Sequence, residues 1–288
     1  MLKFHIWFVA LLFVAGSPLC AQNLEFNRVS GVNPDTDGAI DGWSVADQFN
    51  GQAYSGYVGE LSLIFANSGD YPANFGEARG AFTADAGGSY SGIPGLVVFC
   101  IDSTSPFDTS SFPGDSSFYQ PMNLQGANQR FLAEGVEGYL NGGLLRAAYL
   151  LETFYDIAHN GSDAEAAALQ AAIWEVLTDI TPDLSPNSGN YFLRTESEQA
   201  SPLLAQRTAQ MLAITDAWFA AAEADDWGGP SYDPGDRVAF WLDPNDVNEQ
   251  QSVISLNPAS SGITLVPEPS VMYLVFLGFL AALRRARR

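Results

Sequence analysis

A change of hydrophobic period sets the limits on what this chain can fold into. Between Leu144 and Ala224 apolar residues return every three or four positions, the spacing of a helix face. On either side they come as short runs such as Leu61-Ser62-Leu63-Ile64-Phe65 and Leu96-Val97-Val98-Phe99, bounded by turn residues, which is the habit of strands. A helical block set between strand-rich segments excludes both a helix bundle and an all-β domain. It predicts an α+β fold: a β-rich core, sandwich or barrel-like, with an inserted block of about three helices.

The pieces can be placed on that plan. Residues 23–101 are rich in Gly, Ser, Asn and aromatic residues and carry turn signals at Asn33-Pro34-Asp35, Asp41-Gly42 and Ser68-Gly69-Asp70. Residues 103–128 read as a loop. The helical block, 143–226, divides into Leu144–Ile157, Ser162–Thr178 and Glu198–Ala224. Ser162 and Glu165 form a Ser-x-x-Glu capping box, in which side chains satisfy the open N–H groups of the first turn. Pro182 and Pro186 keep the second helix from continuing, and Trp227-Gly228-Gly229-Pro230 ends the third. Strand character returns in 237–256, at Arg237–Leu242 and Ser252–Leu256.

Both ends read as addresses. Met1-Leu2-Lys3, an apolar stretch from Ile6 to Ala15 and the small residues up to Ala21 make a secretory signal peptide over residues 1–21. Cys20 follows Pro18-Leu19, a poor context for lipidation. At the other end, Val271 to Leu283 is an apolar run of 13 residues followed by Arg284-Arg285-Ala286-Arg287-Arg288. As a helix it spans about 20 Å, short of the roughly 30 Å hydrocarbon core. The arginines favour the cytoplasmic side and leave the chain outside. A short anchor and a processed tail both fit. Residues 266–288, with Pro267-Glu268-Pro269, the short span and the arginine cluster, resemble the PEP-CTERM sorting signal of Gram-negative bacteria. That resemblance implies cutting near the Pro-Glu-Pro triplet by an exosortase-type enzyme, transient residence in the inner membrane, and delivery to the envelope of an exopolysaccharide-producing cell.

Charge narrows the partners. The chain carries 12 basic and 33 acidic residues, a formal charge of −21. Nucleic acid is an improbable partner for such a surface. The absence of any 18-residue apolar run excludes a polytopic membrane protein. Without its two ends the chain keeps seven arginines against 32 acids, a net of −25, and no lysine. It also keeps one cysteine, Cys100, and one histidine, His159. An exported chain with a single cysteine makes no internal disulfide, so its sulfur has other chemistry or none.

Cys100 closes the continuous apolar run Leu96-Val97-Val98-Phe99-Cys100-Ile101, which reads as a buried strand. Gln170 lies in the second helix. On a wheel of 100° per residue Ala166, Ile173, Trp174 and Leu177 fall within about 60° of it. Glu165, Glu175 and Asp179 gather opposite. Gln170 is therefore a carboxamide on an apolar face. A buried amide without a partner costs about 1–3 kcal/mol, so it needs one. A hydrogen bond to backbone is the plain possibility.

Phe99-Cys100-Ile101-Asp102 followed by Gln170-Ala171-Ala172-Ile173-Trp174 resemble the thioester domain of bacterial surface proteins. The Arg146-Ala147-Ala148-Tyr149-Leu150-Leu151 segment and Gln250-Gln251-Ser252 are similar to stretches of PEP-CTERM members. The resemblance implies an internal thioester between Cys100 and Gln170, with Phe99, Asp102, Ile173 and Trp174 as supporting motif. It also implies covalent attachment to an amine or hydroxyl on a surface or in the matrix, with no catalytic turnover, no metal and no cofactor. The family has Thr or Ser before the glutamine; here it is Leu169. Absence of lysine from residues 22–266 fits a chain that must not quench its own acylating group, and fits plain compositional bias equally.

Other chemistries have thinner support. A cysteine hydrolase would need His159 as base, and no nucleophile motif accompanies it. Asn33, Asp35, Asp37, Gly38 and Asp41 imitate the start of a calcium loop, yet Ser44 stands where the bidentate glutamate belongs. Trp43, Tyr54, Tyr57 and Tyr71 suit either a sugar-stacking surface or a β core. Asp225-Asp226 and Asp243/Asp246 read as solvated loop charge before they read as a glycosidase pair. The alternative function is thus a non-covalent envelope or exopolysaccharide-binding protein whose Cys100 is inert.

Overall fold

Alternating apolar runs become ten strands in the computed structural model, which describes residues 24–28, 42–49, 52–59, 61–65, 79–82, 93–101, 117–134, 142–179, 181–182, 184, 191–193, 202–242 and 252–256. In chain order these are β1 (Leu24–Arg28), β2 (Gly42–Phe49), β3 (Gln52–Gly59), β4 (Leu61–Phe65), β5 (Arg79–Phe82), β6 (Ile93–Cys100) and β7 (Ser117–Met122). Four helices are interleaved with the rest: α1 (Leu124–Glu134), α2 (Gly143–Asn160), α3 (Asp163–Thr178), β8 (Tyr191–Leu193), α4 (Pro202–Ala224), β9 (Val238–Leu242) and β10 (Val253–Leu256). The class is mixed α+β. One antiparallel sheet runs β10-β9-β7-β1-β4-β6-β5, with β10 also pairing β6, and a smaller one runs β3-β2-β8.

The segment expected to be a loop, 103–128, instead contains β7 and the start of α1. Ser117-Phe118-Tyr119-Gln120 holds two aromatic residues of high strand propensity. Asn123 then supplies the helix start, its Oδ1 accepting the Gly126 N–H at 2.8 Å. Among the described residues the helical block therefore has a forerunner in α1. The third expected helix is described from Pro202, whose fixed φ and missing N–H suit a first helical position, while Glu198 lies outside the described residues.

Helix α3 is the hub. It packs on α2 and α4 and against β2, β3 and β6. Ala164, Ala166–Ile173 and Val176–Leu177 are all buried, and so is Glu175 on the side opposite Gln170. A helix covered on every side belongs in the middle of a domain. Its start is fixed by the expected capping box: the Glu165 carboxylate accepts the Ser162 N–H at 2.7 Å and the Ser162 hydroxyl at 2.9 Å. The α2–α3 corner is tight enough to require glycine. A Cβ on Gly161 would strike the Ile157 carbonyl and the Glu165 carboxylate.

After α4 the chain turns through four successive residues of positive φ: Asp226, Trp227, Gly228 and Gly229. Left-handed backbone at two non-glycine positions is strained and needs packing to hold it. Trp227 supplies that packing, edge-on to Tyr149 at 5.8 Å, with the Arg146 guanidinium 5.3 Å over its ring. Tyr149 donates to Asp225 at 2.7 Å, and Tyr232 donates to Glu152 at 2.7 Å beside the Arg237–Glu152 ion pair. Burial, and then the hydrogen bond to Glu152, push the Tyr232 phenol well above its ordinary range. A proton held more tightly in the folded chain adds stability that is complete below the unfolded value near 10 and is lost as pH rises beyond it. Urea titrations above pH 10 should therefore show the Tyr232→Phe chain losing stability less steeply than the parent.

Candidate functional site: the Cys100–Gln170 junction

Strand β6 delivers Cys100 to the site at its last residue. Phe99 and Ile101 are fully buried and Cys100 is 5% exposed. On one edge β10 runs antiparallel, with Val253 opposite Cys100 and Ile254 opposite Phe99. The Ile101 N–H donates to the Ser252 carbonyl at 2.9 Å. Successive residues of a strand send their backbone groups to opposite edges, so Cys100 presents its N–H and C=O to the other side. There the described part of β4 begins at Leu61, opposite Val98.

Gln170 reaches Cys100 from that side. The Cys100 N–H donates to Gln170 Oε1 at 2.7 Å, and Gln170 Nε2 donates to the Cys100 carbonyl at 2.9 Å. One carboxamide thus closes both backbone groups of one residue, as a neighbouring strand would. Gln170 is 1% exposed, and its neighbours Leu169, Ala171 and Ile173 are fully covered. The helix-wheel expectation of a glutamine on an apolar face is met, and the partner it needs is the backbone of Cys100. Seventy residues separate the two in sequence.

The geometry has chemical content. The carboxamide carbon is one C=O bond, about 1.23 Å, from the oxygen that touches the Cys100 amide. The Cys100 sulfur hangs from the same residue. The Cys100 N–H is already aimed at the oxygen on which negative charge develops if the carbonyl is attacked, the arrangement that lowers such barriers most. Cys100 forms no disulfide among the described residues.

Comparison of the chain with protein-family models, with curated proteins and with solved structures gives no match. What can be said of the site rests on its own residues.

Of the supporting motif, Phe99 and Ile173 line the core beside the pair, and Trp174 lies one turn after Gln170 with its ring edge-on to Tyr191 at 5.5 Å. Leu169, in the position where the resembled family has a hydroxyl, is wholly buried. Asp102 lies outside the described residues. So do the residues read as a signal peptide, with Cys20, those read as a sorting signal, Pro267, Glu268, Pro269, Arg284 and Arg285, and the short apolar run before the arginines. The calcium-like Asp35, Asp37 and Asp41, Tyr71 and the Asp243/Asp246 pair are outside them too. No described helix is long and apolar enough to cross a membrane.

The rival readings separate in space. The residue set against Cys100 is Gln170, whereas His159 stands in the last turn of α2 with its ring stacked on Tyr155 at 5.2 Å. Asp225 is hydrogen-bonded to Tyr149, and Asp226 lies in the left-handed turn; both are exposed. Trp43, Tyr54 and Tyr57 take places in the β2–β3 ladder, opposite Val58, Asp47 and Ser44 respectively.

Sequence reasoning missed two parts of the site. The groups that hold Gln170 are backbone atoms, which carry no signature in residue type. The second is the pairing of β10: a strand at Ser252–Leu256 was expected, but not that its Ser252 and Val253 run along the far edge of Cys100.

Proposed function

We propose that this chain is an exported cell-envelope protein whose Cys100 and Gln170 join in an internal thioester used once, to attach the protein covalently to an amine or hydroxyl on a surface or in the matrix. The observation that carries the reading is the double hydrogen bond between the Gln170 carboxamide and the Cys100 backbone, inside a buried junction. In the closing step the Cys100 sulfur bonds to the Gln170 side-chain carbonyl carbon, the carbon–nitrogen bond breaks, and the thiol proton leaves with the nitrogen as ammonia. A free cysteine titrates near 8.5 and is mostly thiol at neutral pH. Closure draws on proximity, where oriented groups reach effective molarities of about 10⁵ M or more. Attack by a target amine then breaks the carbon–sulfur bond and returns the proton to sulfur.

Export by the N-terminal signal, sorting through the Pro-Glu-Pro tail by an exosortase-type enzyme, and a lysine-free mature surface belong to the same proposal. So does a barrel-like β core, which the pairing of β10 with both β9 and β6 supports.

The same two hydrogen bonds also suit a second reading, in which Gln170 is a structural strut, Cys100 is inert, and the protein binds envelope polysaccharide without a covalent step. Intact mass and thiol labelling separate the two. Freshly purified protein is expected to be lighter by one ammonia than its sequence. Its denatured form should take iodoacetamide only after methylamine treatment, while Cys100→Ala shows neither property. A full-weight protein that labels completely at the outset supports the strut instead.

A further inference from the structure

The two hydrogen bonds at the junction define which amides can sit there, and this inference rests on the thioester reading. Gln170 Oε1 and Nε2 both face one residue, accepting from its N–H and donating to its C=O. The hydrogen that reaches the Cys100 carbonyl must therefore be the one on the same side of the carbon–nitrogen bond as Oε1. A primary carboxamide has a hydrogen in that place. An N-substituted amide in its favoured trans form does not: there the substituent lies beside the oxygen and the hydrogen points away. Seated in the junction, such an amide would drive its substituent into the Cys100 carbonyl.

We propose that the Cys100 carbonyl is the specificity-determining group of the site: it admits a primary carboxamide at position 170 and rejects an N-substituted one, so that closure with loss of ammonia is reversible whereas capture of any larger amine is not. Only a reseated amide has its oxygen on the Cys100 N–H, which brings its carbon back beside the residue that carries the sulfur. The amide made by ammonia is Gln170 itself and reseats. The amide made by a substituted amine would reseat only in the cis form, which is populated about a hundredfold less or lower. The captured partner is then protected from re-attack by the thiol that its own capture released. The balance is the same in each case: amine nitrogen bonds to the carbonyl carbon, carbon–sulfur breaks, and a proton passes from nitrogen to sulfur; closure reverses this and releases the amine.

The test uses the full chain after the mass measurement above. Thioester-containing protein is opened with ammonium chloride or with methylamine, freed of the reagent, and incubated. Loss of iodoacetamide-reactive thiol is then followed together with intact mass. The expected result is re-closure of the ammonium-opened protein, losing one ammonia, and re-closure about a hundredfold slower or undetectable for the methylamine-opened protein. Comparable re-closure of both, or no re-closure of the ammonium-opened protein, overturns the inference while leaving the thioester in place. Protein that arrives with Gln170 intact and its thiol fully reactive overturns the thioester reading and this inference together, and is recognised before either amine is added.

Discussion

Replacing Gln170 with methionine should lower the unfolding free energy by about 2–6 kcal/mol. Methionine approximates the glutamine volume but cannot donate to the Cys100 carbonyl, and its sulfur is a poor acceptor for the Cys100 N–H. Both backbone groups lose their partners in a junction where Cys100 is 5% exposed and Gln170 1%. Each orphaned group costs about 1–3 kcal/mol. The comparison belongs in a Cys100→Ala background, where Gln170 keeps its carboxamide and the backbone of residue 100 is unchanged; urea unfolding gives the difference directly. A loss under about 0.5 kcal/mol, the ordinary range for a surface substitution, would mean that the junction is not the lock described here.

Glutamate at the same position gives a signed test by pH. A neutral carboxylic acid has a C=O to accept from the Cys100 N–H and an O–H to donate to its carbonyl, so it imitates the amide. A carboxylate has no donor and sets negative charge against a carbonyl oxygen. The folded chain therefore favours the protonated form and raises the introduced carboxyl above its unfolded value near 4.3. Its contribution to stability is complete below about pH 4.3 and is lost as pH rises through the folded value. The Gln170→Glu chain should approach its parent in acid and fall away from it toward neutral pH.

How far the sequence carries the site depends on what kind of group does the work. The helix of Gln170 was legible at both ends, because Ser162 and Glu165 announce its start and the Thr178–Pro182 stretch its stop. That Gln170 faces an apolar environment followed from its spacing to Ala166, Ile173, Trp174 and Leu177. The need for a partner followed from the cost of an unpaired amide. The partner's identity did not follow, since long-range pairing is set by the register of β6 against β4 and β10, which no local pattern reports. Helix α1 was missed for a related reason. Leu124–Glu134 contains Gln, Gly, Asn and Arg around only a few apolar residues, and its stability comes from Phe131 and Ala127 reaching the common core. Buried Glu175 shows the limit of the wheel: a residue opposite the apolar face is exposed only if nothing packs there, and α3 is packed on every side.

Trp241→Ala should be the most damaging single change in the sheet, at about 3–5 kcal/mol for the cavity alone. Among the described residues Trp241 is the largest of the wholly buried side chains, and its indole N–H donates to the Ser255 hydroxyl at 2.8 Å. Its place in the ladder gives the loss a consequence at the site. Trp241 stands opposite Val253 across β9 and β10, and Val253 stands opposite Cys100 across β10 and β6. Loosening β9 therefore loosens the strand that holds the far edge of the Cys100 peptide, and with it the aim of the Cys100 N–H at Gln170. Trp241→Phe keeps most of the ring and sacrifices mainly one hydrogen bond, about 1 kcal/mol. On the proposed chemistry Trp241→Phe should mature to the ammonia-depleted mass at close to the parent rate, while Trp241→Ala, compared at a temperature where it remains folded, should mature more slowly. Equal maturation by both would show that closure needs only the local Cys100–Gln170 contact and not the strand row behind it; slow maturation confined to the alanine variant makes the sheet register part of the reaction.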